Sequence, residues 1–280
     1  MRTYIFIIGV CLLVSCNDRK NDNKEERQIT PSTYVTDSIY STALGENRKH
    51  NIYLPENFNP NHDYPILYCT DGSTLKANGF LKKGLDSLIS NKIIVPIIVV
   101  ESHSNTAIAD STSMTRGDGT LIKLNYRNFE YVKQPTTDSL LAQRYDQHRT
   151  YFSRELIQHI EQELNQESNP KDRYFYGYSN GAGFGMGLIS YEPKLMETYL
   201  CYSTFGGTLT IQDSTITRLP DLYFKYGSEE PFFLAENAKL LRETYSQYNS
   251  FIEIEEYVGG HDYKIWRNEL FENLVVLFQI

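Results

Sequence analysis

Tyr174-Phe175-Tyr176-Gly177-Tyr178-Ser179-Asn180-Gly181-Ala182-Gly183-Phe184-Gly185-Met186-Gly187 is the stretch whose reading decides this chain. An apolar run of strand character enters Gly-x-Ser-x-Gly, and a run of small residues follows. That order fits a tight turn between a strand and a helix, with the serine hydroxyl held out at the carboxyl edge of a sheet. The serine backbone in such a turn is strained and the helix must press on the strand, so glycines are needed on both sides. Ser179 is therefore the candidate nucleophile. A serine hydroxyl attacks poorly unless an imidazole takes its proton, and the imidazole needs a carboxylate to fix its tautomer and stabilise its charged form. In this kind of fold both partners follow the serine, the carboxylate first and the histidine last.

Only one histidine lies beyond Ser179: His261, in Val258-Gly259-Gly260-His261-Asp262-Tyr263. Phe251 to Val258 before it has the β-branched and aromatic content of a strand. After it, Trp266, Leu270, Leu274 and Phe278 recur every four residues, one face of a terminal helix. A loop between the last strand and the last helix is where the general base belongs. The carboxylate should follow the preceding strand, Leu222 to Tyr226, in the turn Gly227-Ser228-Glu229-Glu230-Pro231. Either glutamate can orient the ring. Glu230 is preferred, because the residue before a proline is held extended and can project into a site. Asp262 is poorly placed, being adjacent in sequence to the histidine it would have to meet.

A tetrahedral oxyanion needs preorganised donors. The Asn180 N–H is one. Pro65 to Cys69 reads as an earlier strand, and the loop after it, Thr70-Asp71-Gly72-Ser73, would supply the second from Gly72 or Ser73. The alternation of strands and helices predicts an α/β-hydrolase fold: a mostly parallel, doubly wound sheet with an N-terminal antiparallel hairpin.

These segments together resemble the enterochelin-esterase-like branch of the Putative esterase family, which includes esterase D-like enzymes. The resemblance rests on Tyr64-Pro65-Ile66-Leu67-Tyr68 with Asp71-Gly72, on Ile94 to Val100, and on Arg127-Asn128-Phe129-Glu130-Tyr131. It also rests on the Ser179 turn, Gly227-Ser228-Glu229-Glu230 and Gly259-Gly260-His261-Asp262-Tyr263-Lys264-Ile265-Trp266. It implies a serine carboxylic-ester hydrolase without a cofactor, with Ser179 as nucleophile, His261 as base and Glu230 as acid. Its substrate would be a small molecule or an oligosaccharide: a siderophore ester or an acylated carbohydrate. Asn180 stands where many relatives carry leucine or methionine, and Glu230 where aspartate is common. The Arg127/Glu130 segment resembles an R-x-x-E element of siderophore esterases. On that likeness Arg127 would meet a substrate carboxylate or catecholate, with an ion pair to Glu130 as the alternative. A catalytically silent siderophore- or glycan-binding lipoprotein and an acyltransferase are the competing functions.

The N-terminus carries an address. Arg2, an apolar stretch from Tyr4 to Val14, and Leu13-Val14-Ser15-Cys16 read as residues 1–16 of a lipoprotein signal peptide, with Cys16 the lipidated residue. Residues 17–33 read as a disordered tether and 34–280 as one esterase domain. The expected location is exported and lipid-anchored to a bacterial membrane, facing periplasm or cell surface. Cys69 and Cys201 lie in apolar, non-adjacent strands and should be free buried thiols. No metal-ligand spacing is present. The net charge of −8 gives no reason to expect nucleic-acid binding.

Further expectations concern organisation. Tyr34 to Leu54 should form a hairpin of two edge strands. Leu81, Leu85, Leu88 and Ile89 should mark a crossover helix before a strand at 93–100. Residues 102–137 show no period and read as a lid or binding loop, with Arg116-Gly117-Asp118 a coincidental tripeptide. His103 is read as an exposed loop residue, although it follows a strand and could face the site. Phe152, Leu156, Ile160 and Leu164 mark a helix whose outer face carries solvated His148 and His159. The 22 tyrosines are read mostly as strand and surface residues, with some available to line a pocket.

Overall fold

The computed structural model describes residues 29–76, 79–115, 121–204, 209–231 and 233–280. The calls on residues 1–28, Cys16 among them, and on Arg116-Gly117-Asp118 lie outside these. Among the described residues no helix is long and apolar enough to cross a membrane.

The N-terminal hairpin joins β1 (Thr33–Ser41) to β2 (Glu46–Leu54). Then come β3 (Ile66–Cys69), α1 (Gly72–Lys76), α2 (Phe80–Ser90) and β4 (Ile98–Ser102). A second hairpin, β5 (Ile108–Thr115) and β6 (Leu121–Asn125), leads to α3 (Tyr126–Tyr131). Next, α4 (Ser139–Thr150) runs through a π-helical turn, Tyr151–Leu156, into α5 (Ile157–Glu163). The chain closes with β7 (Arg173–Tyr178), α6 (Asn180–Tyr191), β8 (Thr198–Tyr202), β9 (Asp221–Gly227), α7 (Phe233–Gln247), β10 (Ile252–Tyr257) and α8 (Tyr263–Phe278).

Eight strands form one sheet in the order β1-β2-β4-β3-β7-β8-β9-β10. All neighbours from β4 to β10 run parallel, and β2 pairs antiparallel with both β1 and β4. This is the α/β-hydrolase architecture. Strand residues alternate between two buried faces, which is why the strands read as unbroken apolar runs. Tyr68, Phe175, Tyr199 and Phe224 pack with Phe152, Ile160, Phe184 and Leu241 on one side. Leu67, Tyr176, Leu200 and Tyr223 pack with Leu81, Leu85, Trp266, Leu270, Leu274 and Phe278 on the other. From β3 the chain crosses to β4 on one side and later to β7 on the other, so the topological switch lies between β3 and β7. Sites in such sheets open at the carboxyl ends of the strands there.

Several expectations require correction. Of the hairpin strands only β1 is an edge, because β2 is enclosed by β4. The fourth strand starts at Ile98, not 93: Pro96 has no N–H for a ladder, and Ile94 instead bridges Gln279 at the C-terminus. The stretch 102–137 is not a structureless loop but carries β5, β6 and α3. His148 is fully buried among Tyr131, Tyr151, Phe152 and Phe184, while His159 is half-buried. The tyrosines are largely core residues; Tyr53, Tyr68, Tyr131, Tyr151, Tyr176, Tyr199, Tyr202 and Tyr245 are fully buried. Cys69 and Cys201 are free and buried, on β3 and β8 with β7 between them.

Candidate active site

Ser179 stands between β7 and α6 with φ 55° and ψ −131°, a left-handed backbone that a side chain normally avoids. Two close approaches hold it there. A Cβ on Gly177 would lie 2.6 Å from the Gly181 carbonyl carbon, and one on Gly181 would lie 2.3 Å from Thr70 Oγ1 and 3.0 Å from Asp71 Oδ2. The turn is therefore pinned both to its own helix and to the end of β3. The first α6 hydrogen bond runs from Gly183 N–H to Ser179 O, so the Asn180 N–H precedes the helical ladder.

The structure brings Ser179, His261 and Glu230 together. His261 Nε2 lies 3.0 Å from Ser179 Oγ, and His261 Nδ1 lies 2.5 Å from Glu230 Oε1. The imidazole is more than one-third exposed, whereas the Glu230 side chain is wholly buried. Glu230 Oε2 accepts from the Gly227 N–H at 2.7 Å and from Ser203 Oγ at 2.8 Å. Burial pushes the carboxyl up, but the bonds from His261, Gly227 and Ser203 outweigh it and hold Glu230 below its ordinary value. Glu229 is exposed. Asp262 caps α8 by accepting from the Lys264 N–H.

Behind Glu230 lies a cluster that the sequence reading missed. Ser203, at φ 52° just past β8, receives the Trp266 indole N–H at 2.7 Å and lies 2.8 Å from the Tyr257 hydroxyl. Trp266 also donates to Tyr257, stacks on Tyr178 with centroids 4.9 Å apart, and meets the His261 ring in a T-shaped contact with centroids 4.5 Å apart. The one available signal was positional: a small polar residue immediately after a parallel strand's carboxyl end.

Arg127 is committed differently from the expectation. Its Nε and Nη2 form a fork on Asp71 at 2.6 and 2.8 Å, and it lies over the Tyr131 ring. The alternative partner, Glu130, is instead fully buried between Arg48 at 2.6 Å and Arg144 at 2.8 Å. Arg127 thus supports the turn after β3, with about one-fifth of its side chain exposed. His103 turns toward β2, where its Nε2 lies 3.0 Å from Asn51 Oδ1. Burial lowers its pKa to about 4, so the ring is neutral and donates through Nε2. Gly72 and Ser73 open α1; the first ladder bonds there run from the Thr74 and Leu75 N–H groups to Asp71 O. Among the described residues, no group of three or more His, Cys, Asp or Glu side chains is arranged to hold a metal ion.

The model of the Putative esterase family matches residues 41–277, from the end of β1 almost to the end of α8. The chain belongs to that family. It is a serine ester hydrolase acting on carboxylic esters. No curated protein matches this esterase. Solved structures share its fold. A ferulic acid esterase superposes with a TM-score of 0.66 at 18% identity, over 89% of this chain and 98% of its own. An IroE-like serine hydrolase from Shewanella oneidensis gives 0.63 at 15%, over 88% and 80%. The enterobactin esterase FES from Shigella flexneri gives 0.63 at 17%, over 89% of this chain but only 59% of its own.

Proposed function

We propose that this esterase cleaves its substrates through a Ser179–His261–Glu230 triad and an acyl-enzyme. The observation that carries the reading is the continuous hydrogen-bonded line from Ser179 Oγ through both ring nitrogens to a buried carboxylate. Ser179 Oγ attacks the ester carbonyl carbon while His261 Nε2 takes its proton. The Asn180 N–H and an N–H of the Gly72–Ser73 turn hold the oxyanion, and Glu230 stabilises the imidazolium. Collapse breaks the ester bond, and the alcohol leaves with the proton from Nε2. Water then attacks the acyl carbon, giving its proton to the same nitrogen, and the acid departs as Ser179 regains its hydrogen.

Ser179→Ala is expected to abolish labelling by a fluorophosphonate probe and to lower kcat on p-nitrophenyl acetate by up to about 10⁶. An unchanged rate would remove Ser179 from the chemistry. The proposed substrate class is a siderophore ester or an acylated carbohydrate, in keeping with the family resemblance. A panel of a catecholate trilactone, acetylated xylan and methyl ferulate separates these. We also propose export and lipid attachment at Cys16, on the strength of Leu13-Val14-Ser15-Cys16 after an apolar run. Radiolabelled palmitate should enter the wild type and not Cys16→Ala.

A further inference from the structure

Asn51, in β2, is fully buried and has every hydrogen-bonding position of its amide engaged. Its Nδ2 donates to Gly72 O at 2.9 Å and to Glu101 Oε2 at 2.8 Å. Its Oδ1 accepts from Thr36 Oγ1 at 2.7 Å and from His103 Nε2 at 3.0 Å. Four partners, on β1, on β4, just after β4 and at the start of α1, leave this amide no freedom to turn. Glu101 is itself fully buried, and its Oε2 also accepts the Tyr34 hydroxyl.

The bond to Gly72 O matters because of what shares that peptide. A trans peptide is planar, and its C=O and N–H point in opposite directions. Fixing Gly72 O therefore fixes the direction of the Ser73 N–H. Gly72 lies so close to β4 that only glycine fits: a Cβ there would stand 2.5 Å from Glu101 O and 2.8 Å from Glu101 Cβ. The peptide's neighbours on either side touch the nucleophile turn. Asp71 Oδ2 lies against Gly181, and Thr74 meets the Tyr178 hydroxyl. The Asp71 N–H is taken by the Tyr131 hydroxyl at 3.3 Å, so it is not the donor that faces Ser179.

We propose that the second oxyanion donor is the Ser73 N–H and that Asn51, held by Glu101, is the positioning residue that aims it. The proposal rests on ester hydrolysis at Ser179 and distinguishes between the two amides that the loop offers.

The test compares p-nitrophenyl acetate with its thionoester counterpart, whose C=S is a poorer acceptor. Asn51→Ala should lower kcat on the oxygen ester about 10- to 100-fold, short of the full loss of a donor. KM should stay within about twofold, and the thionoester rate should fall far less, so the oxygen-to-sulfur rate ratio should drop about tenfold. A purely structural role would change both esters in step, and an unchanged ratio overturns the proposal. Should Asn51→Ala not fold, Asn51→Leu keeps the volume of the side chain and offers Gly72 O no donor. It carries the same expectation and the same refutation. Ser179→Ala separates the two levels. If it retains activity, the hydrolysis reading itself fails; if it is inactive while the Asn51 variants keep the wild-type ratio, only the role of Asn51 falls.

Discussion

Two buried carboxylates lie on opposite sides of β7, the strand that leads into Ser179, and their surroundings move them in opposite directions. On the β8–β9–β10 side, Glu230 receives His261, Ser203 and the Gly227 N–H, and these hold it below its ordinary pKa despite burial. On the β2–β3–β4 side, Glu101 has one oxygen shared by Tyr34 and Asn51 and the other buried without a hydrogen-bond partner among the described residues. Burial prevails there over Tyr34, Asn51 and the distant Lys76 charge, and its pKa rises to about 7. The lesson is that burial alone sets neither state; the count of donors does. In the proposed mechanism the Glu230 half carries the proton and needs an anion, and that anion is surrounded with donors. The half proposed to hold the oxyanion keeps backbone in place and tolerates a carboxyl that is only partly ionised at neutral pH.

The sharpest way to break this contrast is to neutralise the satisfied anion. Glu230→Gln keeps the shape but offers His261 an amide where a carboxylate stood. The wrong tautomer and an uncompensated imidazolium should lower kcat by about 10⁴, with KM little changed. Steady-state kinetics on p-nitrophenyl acetate checks this. A loss below about tenfold would transfer the acid role elsewhere. Neither Glu229, which is exposed, nor Asp262, which caps α8, is placed to receive it.

The second test neutralises the unsatisfied one. A carboxyl raised in the folded state adds stability that is complete below its unfolded value of 4.5 and fades as pH climbs to about 7. Above that range wild type should therefore have lost up to about 3 kcal/mol relative to its own stability at low pH. Glu101→Gln lacks this titration. Urea unfolding at pH 4 and pH 8 should show the difference between variant and wild type shifting in the variant's favour at the higher pH. A difference independent of pH would mean that Glu101 ionises without penalty.

What the sequence revealed follows the same division. Ser179, His261 and Glu230 were legible as the candidate triad because each lies within two residues of a glycine or proline, which mark the turns where strands end. The sheet was legible because strands buried on both faces leave continuous apolar runs such as Tyr174 to Tyr176. Ser203 and Asn51 were not legible, since a serine after a strand and an asparagine within one carry no pattern until the strands are set side by side. His148 misled for a related reason. Its helical spacing placed it on an outer face, but α3 and α6 cover that face with Tyr131 and Phe184. Arg127 misled because its sequence neighbour Glu130 is claimed by Arg48 and Arg144 from elsewhere in the chain. Local spacing cannot report which of several charges wins a partner.

The smallest expected effect probes how much the donors around Glu230 contribute singly. Ser203→Ala removes one of three donors to the carboxylate, and Trp266 and Tyr257 keep each other at 2.7 Å. One hydrogen bond to a charged group contributes about 1.5–3 kcal/mol, so a roughly tenfold fall in kcat with unchanged KM is expected, together with a stability loss of about that size. The pH dependence identifies the cause. Glu230 is depressed when folded, so its contribution is present above 4.5 and disappears as pH falls through the lowered folded value. With Ser203 gone the folded value moves back up, and the gap in stability between wild type and variant should be full at pH 6 and narrow on acidification. A gap that stays constant down to pH 3 would mean that Ser203 serves packing with Trp266 and Tyr257 and does nothing for the charge on Glu230.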